Sequence, residues 1–365
     1  MVIAILGLIT GMAVSFTHMA LDGSFPSNVG FPSVSGDASV SGNTFASAKG
    51  RESGMAYDIR KGALAVRKKM VDVFHDNGME GDRLAIVSAM ALGDKTMINR
   101  EMRQQYSEAG VAHLLALSGT HLAIVFFMVS SLTVWYRYTV WARMLTLLAI
   151  WAYTIVVGLP VSAVRAVLML SIFSLSELTG NMYDRMDILT FAVFIMVMID
   201  PMTVFDVGFQ LSVAAVASIL LGCPLLKGVF PYGWLESHRW TGNLCNMACV
   251  TFVAQVGTAP IVAYYFGSLP TMFLLTNMVM IPLATILLYM AAIVLLTSWW
   301  PAMSLLAARL MSIVADSMNG LTQWVAGLPG SKVDGLHPSF LEILIYYIIV
   351  ALLYHLIKNM QLKWI

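Results

Sequence analysis

The sequence predicts an all-α polytopic membrane protein, a helical bundle of about eight or nine transmembrane helices with amphipathic interfacial helices. Three observations carry that prediction. Of 365 residues, 59% are hydrophobic and only 11% are charged, against roughly 25% charged in soluble domains. The mean hydropathy is +0.78. The apolar residues fall in separate runs of bilayer-crossing length, divided by short polar connections. A formal net charge of +1 leaves no global basicity, so any nucleic-acid contact has to be local.

Taken in chain order, residues 1–20 are apolar for about one bilayer crossing and lack a basic leader region and a small-residue cleavage site. They read as a retained transmembrane helix or signal anchor. Residues 21–50 are rich in Ser and Gly without helical periodicity, which reads as a linker. In 60–74, Leu64, Met70, Val71 and Phe74 share a face and Arg67, Lys68 and Lys69 add charge, the pattern of an amphipathic helix at a membrane surface. A second amphipathic helix is expected over 82–109, ending at Gly110.

From there the expected spans are 111–134, 141–159, 162–178, 188–204, 207–222, 245–266, 270–299 and 340–357. Pro282 makes 270–299 either one kinked helix or two short pieces. The segment 303–328 carries Arg309, Asp316, Asn319 and Gln323 and is expected to lie in the membrane plane. If the spans alternate, Arg137, Arg143, Arg185, Lys227 and Arg239 share one side, while the connections at 159–161, 204–207 and 266–270 hold no Lys or Arg. The positive-inside rule makes that side cytoplasmic and leaves 21–110 outside. The basic residues between 51 and 103 are nearly balanced by acids and sit in a long segment, which translocates largely regardless of charge.

Polar residues within the apolar runs are the candidates for function. "GVAHLLALSGTHLAIV" (110–125) places His113, Ser118, Gly119 and His121 in one oily stretch. Ser118 and His121 are three apart and neighbours on a helix; Gly119 permits close backbone approach. This can be the polar lining of a cavity or conduit, a structural cluster, or a nucleophile and base. Against catalysis, no acid lies nearby to orient the histidine. Arg165 is either a snorkelling or ion-paired structural residue, or a fixed positive charge for an anionic substrate or for gating. Asp206 and Gln210 share one face, as do Thr251, Gln255 and Thr258; helix-packing hydrogen bonds and a polar path are both open readings. Pro160, Gly208, Pro260 and Pro282 are expected at helix breaks or structural positions, and Asn277 can satisfy backbone groups freed near Pro282. Cys245 and Cys249, one turn apart, read as small buried hydrophobes. No metal-type Cys/His spacing exists and no cofactor is expected.

Several segments in order resemble the ComEC competence family. "AGVAHLLALSGTHLAIV" is similar to its hallmark, and "ALGDKTMI" (91–98) to the segment before it. "PVSAVRAVLM" (160–169), "DPMTVFDVGFQLSVAAV" (200–216), "VAQVGTAPIVAYYFG" (253–267) and "TNMVMIPL" (276–283) follow. Thr120 and Ala123 depart from the usual Leu and Gly. The resemblance implies an inner-membrane channel that passes single-stranded DNA into the cytoplasm during natural transformation, not an enzyme. Its expected partners are single-stranded DNA, the lipid bilayer and other competence proteins (a DNA receptor, a cytoplasmic helicase or DNA-binding proteins), with a homo-oligomer as a further option. Residues 111–365 would form the channel domain, and 21–110 a reduced form of the family's OB-type region. The metallo-β-lactamase-like nuclease of larger members is expected to be missing, since no H-x-H-x-D-H occurs among the seven histidines. His113, Ser118, Gly119, His121, Arg165, Gln210 and Gln255 would suit a DNA path, where scattered donors guide phosphates without trapping them. A membrane-embedded Ser118/His121 hydrolase and a degenerate scaffold member are the alternatives.

Overall fold

The computed structural model describes residues 54–132, 140–178, 184–227 and 239–361. The expected N-terminal span, the Ser/Gly linker and Arg137 lie outside the described residues. The chain divides into a unit Met1–Tyr57 and a unit Asp58–Ile365; everything below concerns the second, apart from the first residues of α1.

Among the described residues there are twelve α-helices. Helix α1 (Gly54–Asp76) is followed by α2 (Gly81–Leu92) and α3 (Arg100–Glu108). A 3-10 turn, Ala112–Leu114, leads to α4 (Gly119–Leu132), α5 (Val140–Val156), α6 (Val161–Leu178) and α7 (Arg185–Ile199). After a second 3-10 turn, Pro201–Phe205, come α8 (Val207–Lys227) and α9 (Arg239–Phe266). Helices α10 (Phe273–Leu296), α11 (Pro301–Ala326) and α12 (Phe340–Gln361) complete the order. Two short strands, β1 (Ser268–Pro270) and β2 (Lys332–Asp334), pair antiparallel with Leu269 opposite Val333.

The single amphipathic helix expected over 82–109 is two helices. Gly93 adopts φ 68° and its N–H bonds the Ala89 carbonyl, while the Asp94 N–H reaches Ser88, a left-handed C-cap that ends α2. Asn99 then caps α3 by accepting the Met102 N–H at 2.7 Å. Nor is α2 amphipathic in its setting: Leu84 to Leu92 are buried without interruption. They pack in one core with Met102 and Tyr106 of α3, Met280 and Leu287 of α10, and Met311 and Met318 of α11.

Helix α11 shows why a long helix with charges is stable there. Its buried positions Ser304, Ala308, Met311, Ala315, Met318, Thr322 and Val325 alternate four and three apart, the seam of antiparallel coiled-coil packing. Arg309 and Asp316 fall off that seam and are exposed. Proline breaks neither of the helices in question. Pro260 sits inside α9 and Pro282 inside α10, both continuous, so the two-piece alternative for 270–299 is excluded. The expected span 111–134 is also corrected. Residues 111–118 form a 3-10 turn and loop before α4 begins. Such non-helical backbone is tolerated in an apolar setting because it is buried in protein, with Val111, Leu114, Leu115 and Leu117 all in cores.

Among the described residues four helices are long and apolar enough to cross a membrane: Val207–Leu226, Thr241–Phe266, Phe273–Leu296 and Phe340–Met360. At 1.5 Å per residue the third spans about 36 Å, against a hydrocarbon core of about 30 Å. Leu341, Ile345, Ile348, Ile349, Leu352, Leu353 and Leu356 of α12 are all exposed. A helix this apolar on its outer face requires a non-aqueous covering. Helices α4 and α5 are apolar but shorter.

Candidate polar cluster at the starts of α4, α6 and α8

The "SGTH" turn folds as a helix cap. Ser118 precedes the first residue of α4 and His121 lies in its first turn. The Ser118 N–H donates to His121 Nδ1 at 3.3 Å, and Ser118 Oγ is 2.8 Å from the same nitrogen. The His121 imidazole thus accepts the Ser118 N–H where a Glu or Gln side chain does so in a capping box. A backbone N–H can only donate, so Nδ1 is the acceptor and the ring proton sits on Nε2. His121 is buried, and Nε2 has no partner among the described residues. Ser118 Oγ also meets Thr120 Oγ1 at 2.9 Å. As a nucleophile and base the pair has contact but no orienting acid, and its Nδ1 lone pair is shared with a backbone donor. His113 occupies the 3-10 turn and is exposed.

Helix α6 starts beside this cap. Ser162 Oγ donates to the Leu117 carbonyl at 2.7 Å. A Cβ on Gly119 would lie 3.6 Å from Ala166 Cβ, an ordinary van der Waals contact, so the α4–α6 packing does not require a glycine there. Pro160 precedes α6 rather than breaking a helix, and ends a strained turn: Leu159 has φ 53° and Gly158 φ 95°. That turn is held from the other side by α1 and the "LGD" segment. Arg67 Nη1 donates to the Val157 carbonyl at 3.2 Å, Val157 packs on Gly93, and Tyr153 Oη donates to the Ala91 carbonyl at 2.7 Å.

Arg165 is paired. Its Nη1 is 3.1 Å from Asp206 Oδ1, with the arginine side chain 7% exposed and the aspartate 45%. Asp206 is not on the face of α8 that it would share with Gln210; it is the residue that caps α8, accepting the Phe209 N–H at 2.7 Å. Gln210 turns back to the Val204 carbonyl at 3.1 Å. Gly208 stands against the ion pair: a Cβ there would be 2.9 Å from Arg165 Nη2 and 3.0 Å from Asp206 Oδ1.

The remaining candidates lie elsewhere. Gln255 lines a cavity of about 360 Å³ with Phe252, Pro270, Phe273, Leu336 and Tyr346. Asn277 is buried with Oδ1 unpartnered, and its side chain makes no hydrogen bond to the backbone near Pro282. Cys249 Sγ lies 4.0 Å from the Cys223 carbonyl, and among the described residues Cys223, Cys245 and Cys249 form no disulfide. Among the described residues no group of three or more His, Cys, Asp or Glu could hold a metal. Sequence reasoning missed Ser162, Tyr153 and the Arg67 contact. Ser162 lies inside a quoted family segment, but nothing local marks the partners of the other two.

Outside the apolar helices, Lys332 of β2 bridges Glu108 of α3 at 3.1 Å and Asp334 at 3.2 Å. The hydrogen bond from the Gln104 side chain holds the Glu108 carboxyl below its usual range; burial opposes it, and Lys332 adds to the lowering. Glu108 and Asp334 raise Lys332 in turn. Burial, then the nearby Arg103, lowers Lys95.

The fold and cluster define a class: a helical protein with apolar membrane-type helices, in which three helix starts converge on buried polar and charged side chains. The Competence protein family matches residues 90–360, and the chain belongs to it. ComE operon protein 3 of Bacillus subtilis (strain 168) is 25% identical over 306 residues, covering 82% of this chain and 38% of that protein. Competence protein ComA of Neisseria gonorrhoeae is 24% identical over 220 residues, covering 57% and 29%. An uncharacterized Escherichia coli (strain K12) protein, YcaI, is 22% identical over 214 residues, covering 55% and 27%. The chain therefore spans well under half the length of each of these three relatives. No solved structure matches it.

Proposed function

We propose that this protein is an inner-membrane channel for uptake of single-stranded DNA during natural transformation. The carrying observation is the polar cluster at the starts of α4, α6 and α8, set among helices whose outer faces are apolar. Membership of the Competence family and the likeness to ComE operon protein 3 and to competence protein ComA support the same reading. A DNA conduit needs sparse donors and positive charge in a protected path, because dense charge would hold phosphates too tightly. Arg165, His113 and His121 supply such groups near one end, with Gln210 and Gln255 farther along.

In this reading α4 to α10 and α12 are eight crossings, and the apolar N-terminal stretch is a ninth. Residues 21–110 lie outside and the cluster lies at the outer mouth. The chain acts with single-stranded DNA, a receptor and cytoplasmic DNA-binding proteins, and performs no catalysis. Labelled DNA followed across the inner membrane, with and without the gene, tests it. Uptake should need the gene and fall in Arg165→Ala; normal uptake without the gene would leave a scaffold role.

The 2.8 Å Ser118–His121 contact favours one second reading, a membrane-embedded hydrolase. Labelling by a serine-reactive fluorophosphonate, lost in Ser118→Ala, would support it; loss of uptake without hydrolysis would support the channel.

A further inference from the structure

The Arg165–Asp206 pair is built unlike a structural salt bridge. Only Nη1 of the guanidinium meets the carboxylate, at 3.1 Å. Among the described residues neither Nε, which is buried, nor Nη2 has an acceptor. These two nitrogens form one edge of the guanidinium, the fork that matches two oxygens of a carboxylate or phosphate. The side chain is 7% exposed, and the buried Nε has been taken from water without replacement, a costly arrangement unless another acceptor arrives.

The surroundings also ask for an anion. Nη2 lies against Gly208, in the first turn of the 21-residue helix α8. A helix start carries partial positive charge and disfavours a cation beside it. The backbone N–H groups of Val207 and Gly208 have no acceptor among the described residues. Asp206 offsets this charge with one oxygen, Oδ1, which it divides between Arg165 and the Phe209 N–H. Its carboxylate is half-exposed and can turn outward. Gly208 lets the ion pair lie directly against the backbone at the start of α8.

We propose that Arg165 and the start of α8 form a phosphodiester site, and that Asp206 is its resident counter-ion, displaced when a phosphate of the nucleic-acid strand takes the open guanidinium fork. The inference rests on the conduit reading and gives its entrance a latch. With Asp206 on Nη1 the guanidinium charge is already countered, and an arriving phosphate competes with the carboxylate for it. Each arriving phosphate exchanges with the carboxylate, and the carboxylate returns as the phosphate leaves, so no phosphate is held long.

The test uses the full chain in nanodiscs of zwitterionic lipid, with binding of a fluorescein-labelled oligothymidylate read by anisotropy. Asp206→Asn keeps the α8 cap, since Asn caps as well as Asp, but removes the competing charge. It should tighten binding on the order of fivefold, the effect of losing one partly exposed ion pair. Arg165→Lys keeps the charge without the fork and should weaken binding, and on an Arg165→Gln background, which has no cation to release, Asp206→Asn should lose most of its effect. Unchanged or weaker binding in Asp206→Asn, while the wild type binds, overturns the latch and leaves the conduit reading intact. If neither wild type nor variant binds the strand, both fall. If Asp206→Asn instead raises retention of phosphatidylglycerol with oligothymidylate binding unchanged, the exchanging anion is a lipid headgroup and the proposal is overturned.

Discussion

Gly110 begins the "GVAHLLALSGTH" stretch and is the hinge between α3 and the hallmark loop. Its φ is +78°, and a Cβ there would lie 2.9 Å from Phe273 Cβ, 3.0 Å from Pro270 Cβ and 3.1 Å from Phe273 Cα. These atoms are rooted in the backbone of the β1–α10 corner and cannot swing aside. Gly110→Ala therefore meets two penalties. The left-handed conformation costs an L-residue about 1–2 kcal/mol, and overpacking against a fixed neighbour adds about 1–3 kcal/mol. The sum is about 2–5 kcal/mol.

Gly78→Ala is the control. Gly78 has φ +85° with nothing within 4 Å of its Cβ position, so only the first penalty applies, about 1–2 kcal/mol. Denaturant unfolding in detergent micelles, followed by tryptophan fluorescence, gives both values. Gly110→Ala should be the more destabilised by about 1–3 kcal/mol, the overpacking share alone. Equal losses in the two variants would refute the claim that a close contact pins the hallmark loop to the β1–α10 corner.

Leu159→Asn should raise stability by about 0.5–1 kcal/mol in the same assay, because Asn tolerates the left-handed conformation that Leu159 is forced to adopt. Tyr106→Phe removes the hydroxyl that donates to Asn319 Oδ1 at 3.0 Å and should cost about 1–2 kcal/mol, since the amide oxygen loses its partner. Glu108 is held below its usual range, so its contribution is present at neutral pH and lost as pH falls through the lowered folded value. Lys332 is raised, so its contribution is present below about pH 10.4 and lost as pH rises through the folded value. Solvent screening keeps either below about 1 kcal/mol. Wild type and Glu108→Gln should thus converge in melting temperature on acidification to about pH 3, well under the usual Glu value.

Helix positions were legible where the apolar run and its breaks coincide. Helices α8, α9, α10 and α12 lie close to where hydropathy puts them, because a continuous oily stretch must form a helix to satisfy its backbone away from water. Ser118 and His121 were legible as neighbours, whereas the close approach expected at Gly119 is only an ordinary contact with Ala166. The split of 82–109 at Gly93 was not, since one glycine in a helical pattern is ambiguous until its φ is known. The start of α4 was also hidden, because Val111, Leu114 and Leu115 are as apolar as a span but are buried in protein rather than facing lipid. Arg165 shows the limit most clearly. Its burial could be guessed from its neighbours, but its partner is 41 residues away.

The amino-acid sequence alone determined the membrane-type helical class, the order of its apolar helices and the segments that carry its family character, because these depend on local composition and period. Tertiary structure alone decided which segments meet. It brought "LGD", "SGTH", "PVSAVR" and "DVGFQ" into one cluster, made Asp206 both a cap and a counter-ion, and turned α2 into a buried strut. Those outcomes depend on which helix faces pack together, and no single stretch of chain encodes its neighbours.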